Sequence, residues 1–233
     1  MLLDNKFIWS RTHTFRVLLA VACVTCGDLG ARAQDAAANI DIGKNEIGAA
    51  PADFEFFPTG GTQNQWTVVR DATATAGSAI EHSGIISSED RSPLAIYKPA
   101  LLKNADISVR FKSIGGRANQ GGGVALRVMT PDTYYLVRAD ARRDRVLFLR
   151  ASNGETEEIA GVDADIAVNT WHTMAIRAED DRFTVSLDGV WVFTAYDKTL
   201  FDPGRTALWT ASDSITRFDS IAITPLTASE ERY

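Results

Sequence analysis

The chain has 233 residues, enough for one domain with tails. It carries 24 Lys and Arg against 30 Asp and Glu, a net charge of −6. Without residues 1–33 the balance is 20 basic against 28 acidic residues, or −8. This acidity argues against nucleic acid as a partner, because an acidic domain repels phosphate backbones. Both cysteines, Cys23 and Cys26, lie near the N-terminus, so the remainder has no disulfide, thiolate nucleophile or cysteine-ligated metal.

The N-terminal segment has the pattern of a secretory signal peptide. An apolar run at 17–25 is followed by the small-x-small cleavage sequence Ala31-Arg32-Ala33. Three basic residues precede the run: Lys6, Arg11 and Arg16. We therefore predict that residues 1–33 are removed, that the mature chain begins at Gln34, and that the protein is periplasmic or secreted.

Two other fates of this segment stay open. A membrane anchor is one, although the run is shorter than the about 20 apolar residues that span a bilayer. Lipid attachment is the other, because the sequence before Cys23 loosely resembles a lipoprotein box. That box normally has Leu three residues before the cysteine, and here the position holds Ala20.

The rest of the chain divides into three parts. Residues 34–52 are rich in Ala, Asn and Asp and predict a flexible leader. Residues 53–226 hold the patterned sequence and predict a single domain with a sizeable core. Residues 227–233 are polar and predict a frayed tail.

Strand signals fill the domain, and helix signals are nearly missing from its sequence. Apolar and polar residues alternate at 107–112, 124–129 and 183–188, the pattern of half-buried antiparallel strands. The other predicted strands are 54–57, 66–70, 78–86, 94–98, 134–140, 146–151, 155–160, 171–179, 190–196, 207–210 and 218–224.

Turn residues connect several of these strands. Asn153-Gly154 and Asp188-Gly189 suit two-residue hairpins, because Asn, Asp and Gly tolerate a positive φ. Pro131-Asp132 predicts a turn between two further strands. A dozen short strands with such turns predict an all-β fold: a two-sheet antiparallel β-sandwich of the jelly-roll type.

The hairpin at Pro131-Asp132 suggests which side chains point outward. Pairing of Thr130 with Thr133 places Val128 opposite Tyr135 on the core side. The outer face then carries four residues: Arg127, Met129, Tyr134 and Arg138. An aromatic ring beside two arginines suits a polyhydroxylated ligand, although pairing of the arginines with acidic neighbours is an alternative.

Two tryptophans are further candidates for ligand contact. Trp191 follows the Asp188-Gly189 turn, and a two-residue loop pairs it with Ser186 on the face opposite Val185. Trp209 is the second, with the polar Thr210 beside it, and both tryptophans are expected to be exposed. The predicted ligand-binding residues are therefore Arg127, Tyr134, Arg138, Trp191 and Trp209.

One stretch resembles a known fold family. Trp171-His172-Thr173-Met174-Ala175-Ile176-Arg177-Ala178, followed by a strand that ends at Asp188-Gly189, is similar to concanavalin A-like lectin/glucanase domains, particularly the laminin-G-like and 3-keto-disaccharide hydrolase branches. The resemblance spans roughly residues 53–225. It implies a curved sandwich that often holds sugars on its concave sheet, and some members of the family hydrolyse glycosidic bonds while many only bind.

The resemblance also raises the question of structural calcium. Sandwiches of this kind sometimes bind Ca²⁺ with acids of the terminal strands, which here are Asp53, Glu55 and Asp219. Calcium takes about six to eight oxygen ligands, so ordinary surface acids remain the alternative. The sequence indicates no other cofactor.

Catalytic motifs are missing from the sequence. The Glu-x-Asp-x-x-Glu string of laminarinase-type members is absent, and Glu157 is predicted to pair with Arg150 across a hairpin. We expect an exported domain that binds a carbohydrate or glycoconjugate without catalysis. A glycoside hydrolase of the 3-keto-disaccharide type is the first alternative, and a protein–protein interaction module of the cell envelope is the second.

Overall fold

The computed structural model describes residues 37–57, 65–83 and 92–226. These residues belong to one compact unit and form fifteen strands and one short 3-10 turn at Ile42–Lys44. The strands are β1 (Ala38–Ile40), β2 (Phe54–Phe57), β3 (Trp66–Arg70), β4 (Ser78–His82), β5 (Leu94–Tyr97), β6 (Ala105–Gly115), β7 (Gly121–Thr130), β8 (Thr133–Asp140), β9 (Arg145–Ser152), β10 (Glu155–Asp163), β11 (His172–Glu179), β12 (Arg182–Leu187), β13 (Val190–Tyr196), β14 (Arg205–Thr210) and β15 (Ile215–Pro225).

The strands form two antiparallel sheets. Sheet A has the order β13-β12-β11-β6-β15-β4-β3, and β1 also pairs with β15. Sheet B has the order β10-β9-β8-β7-β14-β5-β2. Because chain neighbours at β4–β5, β6–β7 and β14–β15 belong to different sheets, the chain repeatedly crosses between the two layers. The predicted two-sheet sandwich is confirmed.

The main core lies between the sheets. Phe111, Met174 and Phe183 of sheet A pack in one cluster with Tyr135 and Phe148 of sheet B. The rings of Tyr135, Phe148 and Phe183 contact one another at centroid distances of 4.7 to 5.3 Å. Burial of such large apolar surfaces is the main stabilising contribution to a sandwich of this kind.

Sheet B is also apolar on its second face, which we call the outer face of sheet B. A separate buried cluster is formed there by side chains of sheet B: Leu94, Ile96, Ala125, Val128, Tyr134, Leu136, Leu147, Leu149, Ala151, Ala207 and Trp209. Both faces of sheet B are therefore largely apolar, whereas a sheet with one solvated face alternates apolar and polar residues.

The N-terminal part of the domain differs from the sequence expectation. Ala38–Ile40, within the segment predicted to be a flexible leader, pairs with Ile221–Ile223 of β15. Ile42 follows and is 3 % exposed. The predicted signal peptide, the tail at 227–233 and residues 84–86 of the predicted strand 78–86 lie outside the described residues. Within the described part, the chain forms no helix long and apolar enough to cross a membrane.

Candidate functional site

A tryptophan and an arginine approach each other on the outer face of sheet B. Trp209 of β14 is the cross-strand partner of Gly123 of β7, and Gly123 is in turn the partner of Arg138 of β8. Side chains of one cross-strand row point to the same face. Because the middle residue has no side chain, the Arg138 guanidinium lies 5.8 Å from the centroid of the Trp209 ring, within the range of a cation–π contact.

Gly123 leaves no room for a larger residue. A Cβ atom there would lie 2.3 Å from the carbonyl oxygen of Val137 and 3.2 Å from the Cβ of Arg138. The glycine is therefore required by close packing against β8. We call the surface between the Trp209 and Arg138 side chains the trough. The run Gly121-Gly122-Gly123 predicts a tight loop or a close backbone approach, and a close approach to β8 is found at Gly121 and Gly123.

Arg138 has an unused hydrogen-bond donor. Its Nε is buried and has no hydrogen-bond partner in the described structure. Its Nη2 lies 3.8 Å from Oδ2 of Asp140, too far for a good hydrogen bond. Burial lowers the pKa of the guanidinium, and nearby Asp140 opposes that shift. A buried donor without a partner is costly.

Tyr134 joins this pair from the same strand as Arg138. It is 8 % exposed on the outer face of sheet B. Burial raises the pKa of its hydroxyl, and a hydrogen bond with the Trp209 side chain opposes the rise. Three residues predicted to contact ligand, Tyr134, Arg138 and Trp209, are thus brought together by three adjacent strands.

A loop closes one end of the trough. Asn119 and Gln120 line a small pocket together with Arg138, Asp140 and Trp209. These two amide side chains directly precede Gly121. They were not singled out from the sequence, although polar residues immediately before a glycine-rich strand are a usable signal for a binding loop.

Asp213 holds this loop in place. Its carboxylate accepts hydrogen bonds from the backbone N–H groups of Arg117 (2.7 Å), Ala118 (2.6 Å) and Asn119 (3.0 Å). It also accepts from the Asn119 side chain at 3.0 Å. Burial alone would raise the pKa of Asp213, but these donors outweigh it and the net pKa is lowered. The loop is therefore held most firmly while Asp213 is ionised.

Other acids of sheet B are paired with arginines. Glu55 accepts from Arg205 at 3.2 Å, and Glu158 accepts from Arg145 at 2.9 Å. Asp163 lies 3.6 Å from Arg145. Arg205 resembles Arg138, because its Nε is also buried without a hydrogen-bond partner.

Asp140, the acid nearest the trough, is also occupied. Its Oδ1 accepts from the backbone N–H of Arg142 at 3.1 Å, and its Oδ2 accepts from Nη1 of Arg143 at 2.8 Å. The side chain is 9 % exposed. Its Oδ2 also lies 3.8 Å from Nη2 of Arg138, so the two side chains are neighbours of opposite charge.

Arg127 is not part of this face, and its predicted outward orientation is wrong. A bulge between Leu126 and Thr130 shifts the register, so that Leu126, not Val128, pairs with Tyr135. Arg127 has a φ of +49° at this bulge and is 1 % exposed. Val128 moves to the outer face instead. The predicted pairing of Thr130 with Thr133 is confirmed.

The buried Arg127 side chain is bound by backbone oxygens. It donates to the carbonyls of Lys103 (3.0 Å), Leu200 (2.9 Å) and Asp180 (2.5 Å). Its guanidinium also lies 5.0 Å from the ring centroid of Phe183. Arg127 therefore connects three loops and the core, which is a structural role.

Both candidate tryptophans are expected to be exposed, and only Trp191 is. Trp209, expected to be exposed, is 4 % exposed, while Trp191 is 64 % exposed. Trp191 pairs with Ser186 as predicted, but it belongs to sheet A, apart from the trough. A bulge between Val185 and Ser186 pairs Val185 with Phe193 instead of Val192.

The acids considered for calcium do not come together. Asp53 and Glu55 lie at β2 of sheet B, and Glu55 is paired with Arg205. Asp219 is 1 % exposed in sheet A, where it accepts from the backbone N–H of Thr75 at 2.7 Å and from Arg110 at 3.0 Å. Over 37–57, 65–83 and 92–226, no group of three His, Cys, Asp or Glu residues is arranged to hold a metal ion.

The architecture is that of a concanavalin A-like β-sandwich, as the resemblance implied. Among solved structures, the chain is similar to the carbohydrate binding module CBM66 from Bacillus subtilis (TM-score 0.56, 23% identity, 69% of this chain and 95% of that chain). It is also similar to a β-glucanase from Bacillus licheniformis (TM-score 0.51, 13% identity, 78% and 96% of the two chains). Identities this low establish a shared fold.

The family follows from the sequence match. The model of the 3-keto-alpha-glucoside-1,2-lyase-like domain matches residues 54–224, and the chain belongs to this family. A curated relative, a levanase from Bacillus subtilis, is 36% identical over 80 residues. That match covers 34% of this chain but only 12% of the levanase.

Proposed function

We propose that this chain is an exported domain that binds a carbohydrate in the trough between Trp209 and Arg138. The single observation behind the proposal is the buried Nε of Arg138, which has no hydrogen-bond partner beside an aromatic ring. A sugar supplies what this arrangement needs, because its hydroxyls accept hydrogen bonds while its C–H face packs on an aromatic surface.

Each group around the trough has a role in such binding. Arg138 donates from Nε and Nη to hydroxyl or ring oxygens. The amides of Asn119 and Gln120 both donate and accept, which matches the mixed character of hydroxyls. Trp209 contributes apolar surface.

The relatives support this class of ligand. A solved structure with the same fold is named a carbohydrate binding module, and another is named a β-glucanase. The curated relative is a levanase, of which the matched segment is a small part. Export rests on the predicted signal peptide, and N-terminal sequencing of the secreted protein should begin at Gln34.

Binding without cleavage is favoured by the state of the acids. Hydrolysis of a glycosidic bond ordinarily needs two carboxyl groups about 5–10 Å apart, one of which carries a proton. The acids described above on sheet B are paired with arginines, so their oxygens already have partners.

A binding experiment tests the proposal. The mature chain is first screened on a glycan array, and the best oligosaccharide is then titrated calorimetrically against Arg138→Met. We expect at least a tenfold loss of affinity with little change in melting temperature. Arg182→Met is the matched control, because Arg182 is an exposed arginine on sheet A. Equal affinities of wild type and Arg138→Met would place the ligand elsewhere.

A lyase acting on a 3-keto-glycoside is the second candidate. The family match and the adjacent charges of Asp140 and Arg138 favour it. Asp140 would remove the C2 proton next to the ketone, and Arg138 would stabilise the enolate oxygen. Loss of the C1 substituent as an alcohol, which takes up a proton, would leave a C1–C2 double bond.

An activity assay separates the two candidates. The pure chain is incubated with a 3-keto-disaccharide, and the conjugated enone product is followed by its ultraviolet absorbance. Absorbance that grows with wild type and is lost in Asp140→Asn would make the chain a lyase. Tight binding without turnover supports the binding domain, whereas product release that Asp140→Asn does not change would make the chain a lyase whose base is another residue.

A further inference from the structure

The outer face of sheet A carries a groove that is separate from the sugar site proposed on sheet B. A depression of about 310 Å³ lies over β15, β6, β11 and β12. Its floor is one cross-strand row of small side chains. Ala222 pairs with Ser108, and Ser108 pairs with Ala175. Ala175 then pairs with Ser186, so these four small residues make a continuous shallow channel across the strands.

The channel leads to an exposed tryptophan. Trp191 on β13 is the cross-strand partner of Ser186 and is 64 % exposed. Its Nε1 donates to the hydroxyl of Thr194 at 3.3 Å, which fixes one edge of the indole. A large aromatic side chain held this way on an exposed strand offers a flat stacking surface.

The next row of residues forms one side of the groove and is electrically balanced. Arg177 donates to Asp106 and to Glu179, both at 3.0 Å. Arg182 lies 3.9 Å from Glu179, so two arginines balance the two acids. Thr184 lies beside them, with its hydroxyl 3.5 Å from that of Thr194. Because the charges are paired with one another and the other polar groups are hydroxyls, the groove favours an uncharged ligand rich in hydroxyl groups.

The dimensions favour a chain of sugars over a single ring. From β15 to β13 the row crosses four interstrand spacings, or roughly 19 Å. We propose that this groove binds an extended, uncharged oligosaccharide, with one sugar ring stacked on Trp191 and hydroxyls bonded to Ser108, Ser186 and Thr184. The domain would then hold glycans on both sheets.

An NMR titration tests this second site. Isotope-labelled mature chain is titrated with cellotetraose, xylotetraose and laminaritetraose, and backbone and indole N–H signals are followed. We expect the signals of the Trp191 indole, Ser108, Ala175 and Ser186 to shift with at least one of these probes. Trp191→Ala should remove these shifts, and any shift of the Trp209 indole should persist.

Tyr196→Ala is the matched control, since Tyr196 lies on the same strand and is also 64 % exposed. It should keep the shifts at Ser108 and Ser186. Titrations in which all three probes leave these signals unmoved would overturn the proposal, and so would shifts that survive Trp191→Ala. Shifts confined to Trp209 would overturn it while leaving the site on sheet B intact.

Discussion

Arg127 and Arg138 have similar sequence surroundings and opposite roles. Both occur in strands with alternating pattern, and the simplest hairpin register turns both outward. The bulge at Arg127 depends on Gly204, where a Cβ atom would lie only 2.6 Å from the Cα of Arg127. This contact joins residues about eighty positions apart, so the local alternation could not predict it. The same alternation did predict that Tyr134 and Arg138 share one face, because no bulge interrupts β8.

The structural role of Arg127 leads to a stability prediction. Arg127→Met removes three hydrogen bonds and leaves three carbonyl oxygens without this donor. We expect the free energy of unfolding to fall by more than about 3 kcal/mol, measured by urea denaturation. The exposed Arg182 provides the control, whose replacement by Met should cost less than about 0.5 kcal/mol. A similar small loss for Arg127→Met would contradict the buried position.

His82 predicts a dependence of stability on pH. It is 1 % exposed and its ring lies 5.0 Å from Trp66. Burial lowers its pKa from 6.5 to about 4, against a weaker opposing bond to the Ser214 carbonyl. As the pH falls, His82 therefore binds a proton near pH 6.5 in the unfolded chain but only near pH 4 in the folded chain. Across this window the free energy of unfolding falls as the pH falls.

The size of this effect is measurable. A shift of this magnitude corresponds to about 3 kcal/mol between pH 7 and pH 4. Urea unfolding of wild type and of His82→Gln should be compared across this range, since other groups titrate in both chains. The variant should lose less stability on acidification than wild type. Parallel pH profiles would show that His82 is not a buried neutral histidine.

At the level of elements, the positions of the strands could be predicted from the sequence. The face of the sheet to which each side chain points could be predicted only in part. The predicted strands 66–70 and 190–196 match β3 and β13 at both ends, because turn residues flank them. The expected pairing of Glu157 with Arg150 is also found, since the Asn153-Gly154 hairpin fixes that register. Bulges in β7 and β13 then invert the faces beyond them, and local patterning carries no signal for them.

β7 offers a sharp test of the trough. Gly123→Ala places a Cβ 2.3 Å from the Val137 carbonyl oxygen, so β7 and β8 must separate. We expect a loss of at least about 2 kcal/mol in the free energy of unfolding, together with weaker sugar binding. Gly115→Ala is the control, because no atom lies within 4 Å of its added Cβ. Equal stabilities of the two variants would contradict the close approach of these strands.

At the level of the whole molecule, the two-sheet architecture and its strand content were predictable from alternation and turns. The short strand β1 could not be predicted from the composition of the N-terminal leader, because Ala and Asn are poor strand formers. Its pairing with β15 depends on a strand about 180 residues later in the chain. Strand pairing over such a sequence separation depends on the tertiary fold, so local sequence patterns do not predict it.

β1 gives a prediction about the boundary of the domain. A shortened chain that begins at Asp53 loses β1 and the buried side chain of Ile42. We expect its free energy of unfolding to be about 2 kcal/mol lower than that of the chain that begins at Gln34. A chain that begins at Ala37 should match the longer one. If the chain from Asp53 is equally stable, the segment before it adds nothing to the fold.

The central claim is that the trough between Trp209 and Arg138 holds a sugar, and a crystal structure of the complex tests it most directly. The oligosaccharide that binds best on the glycan array is crystallised with the mature chain. The account predicts a sugar oxygen within about 3.2 Å of the Arg138 Nε and a sugar ring against Trp209. A ligand bound elsewhere on the domain, with Arg138 Nε still unpaired, would contradict it.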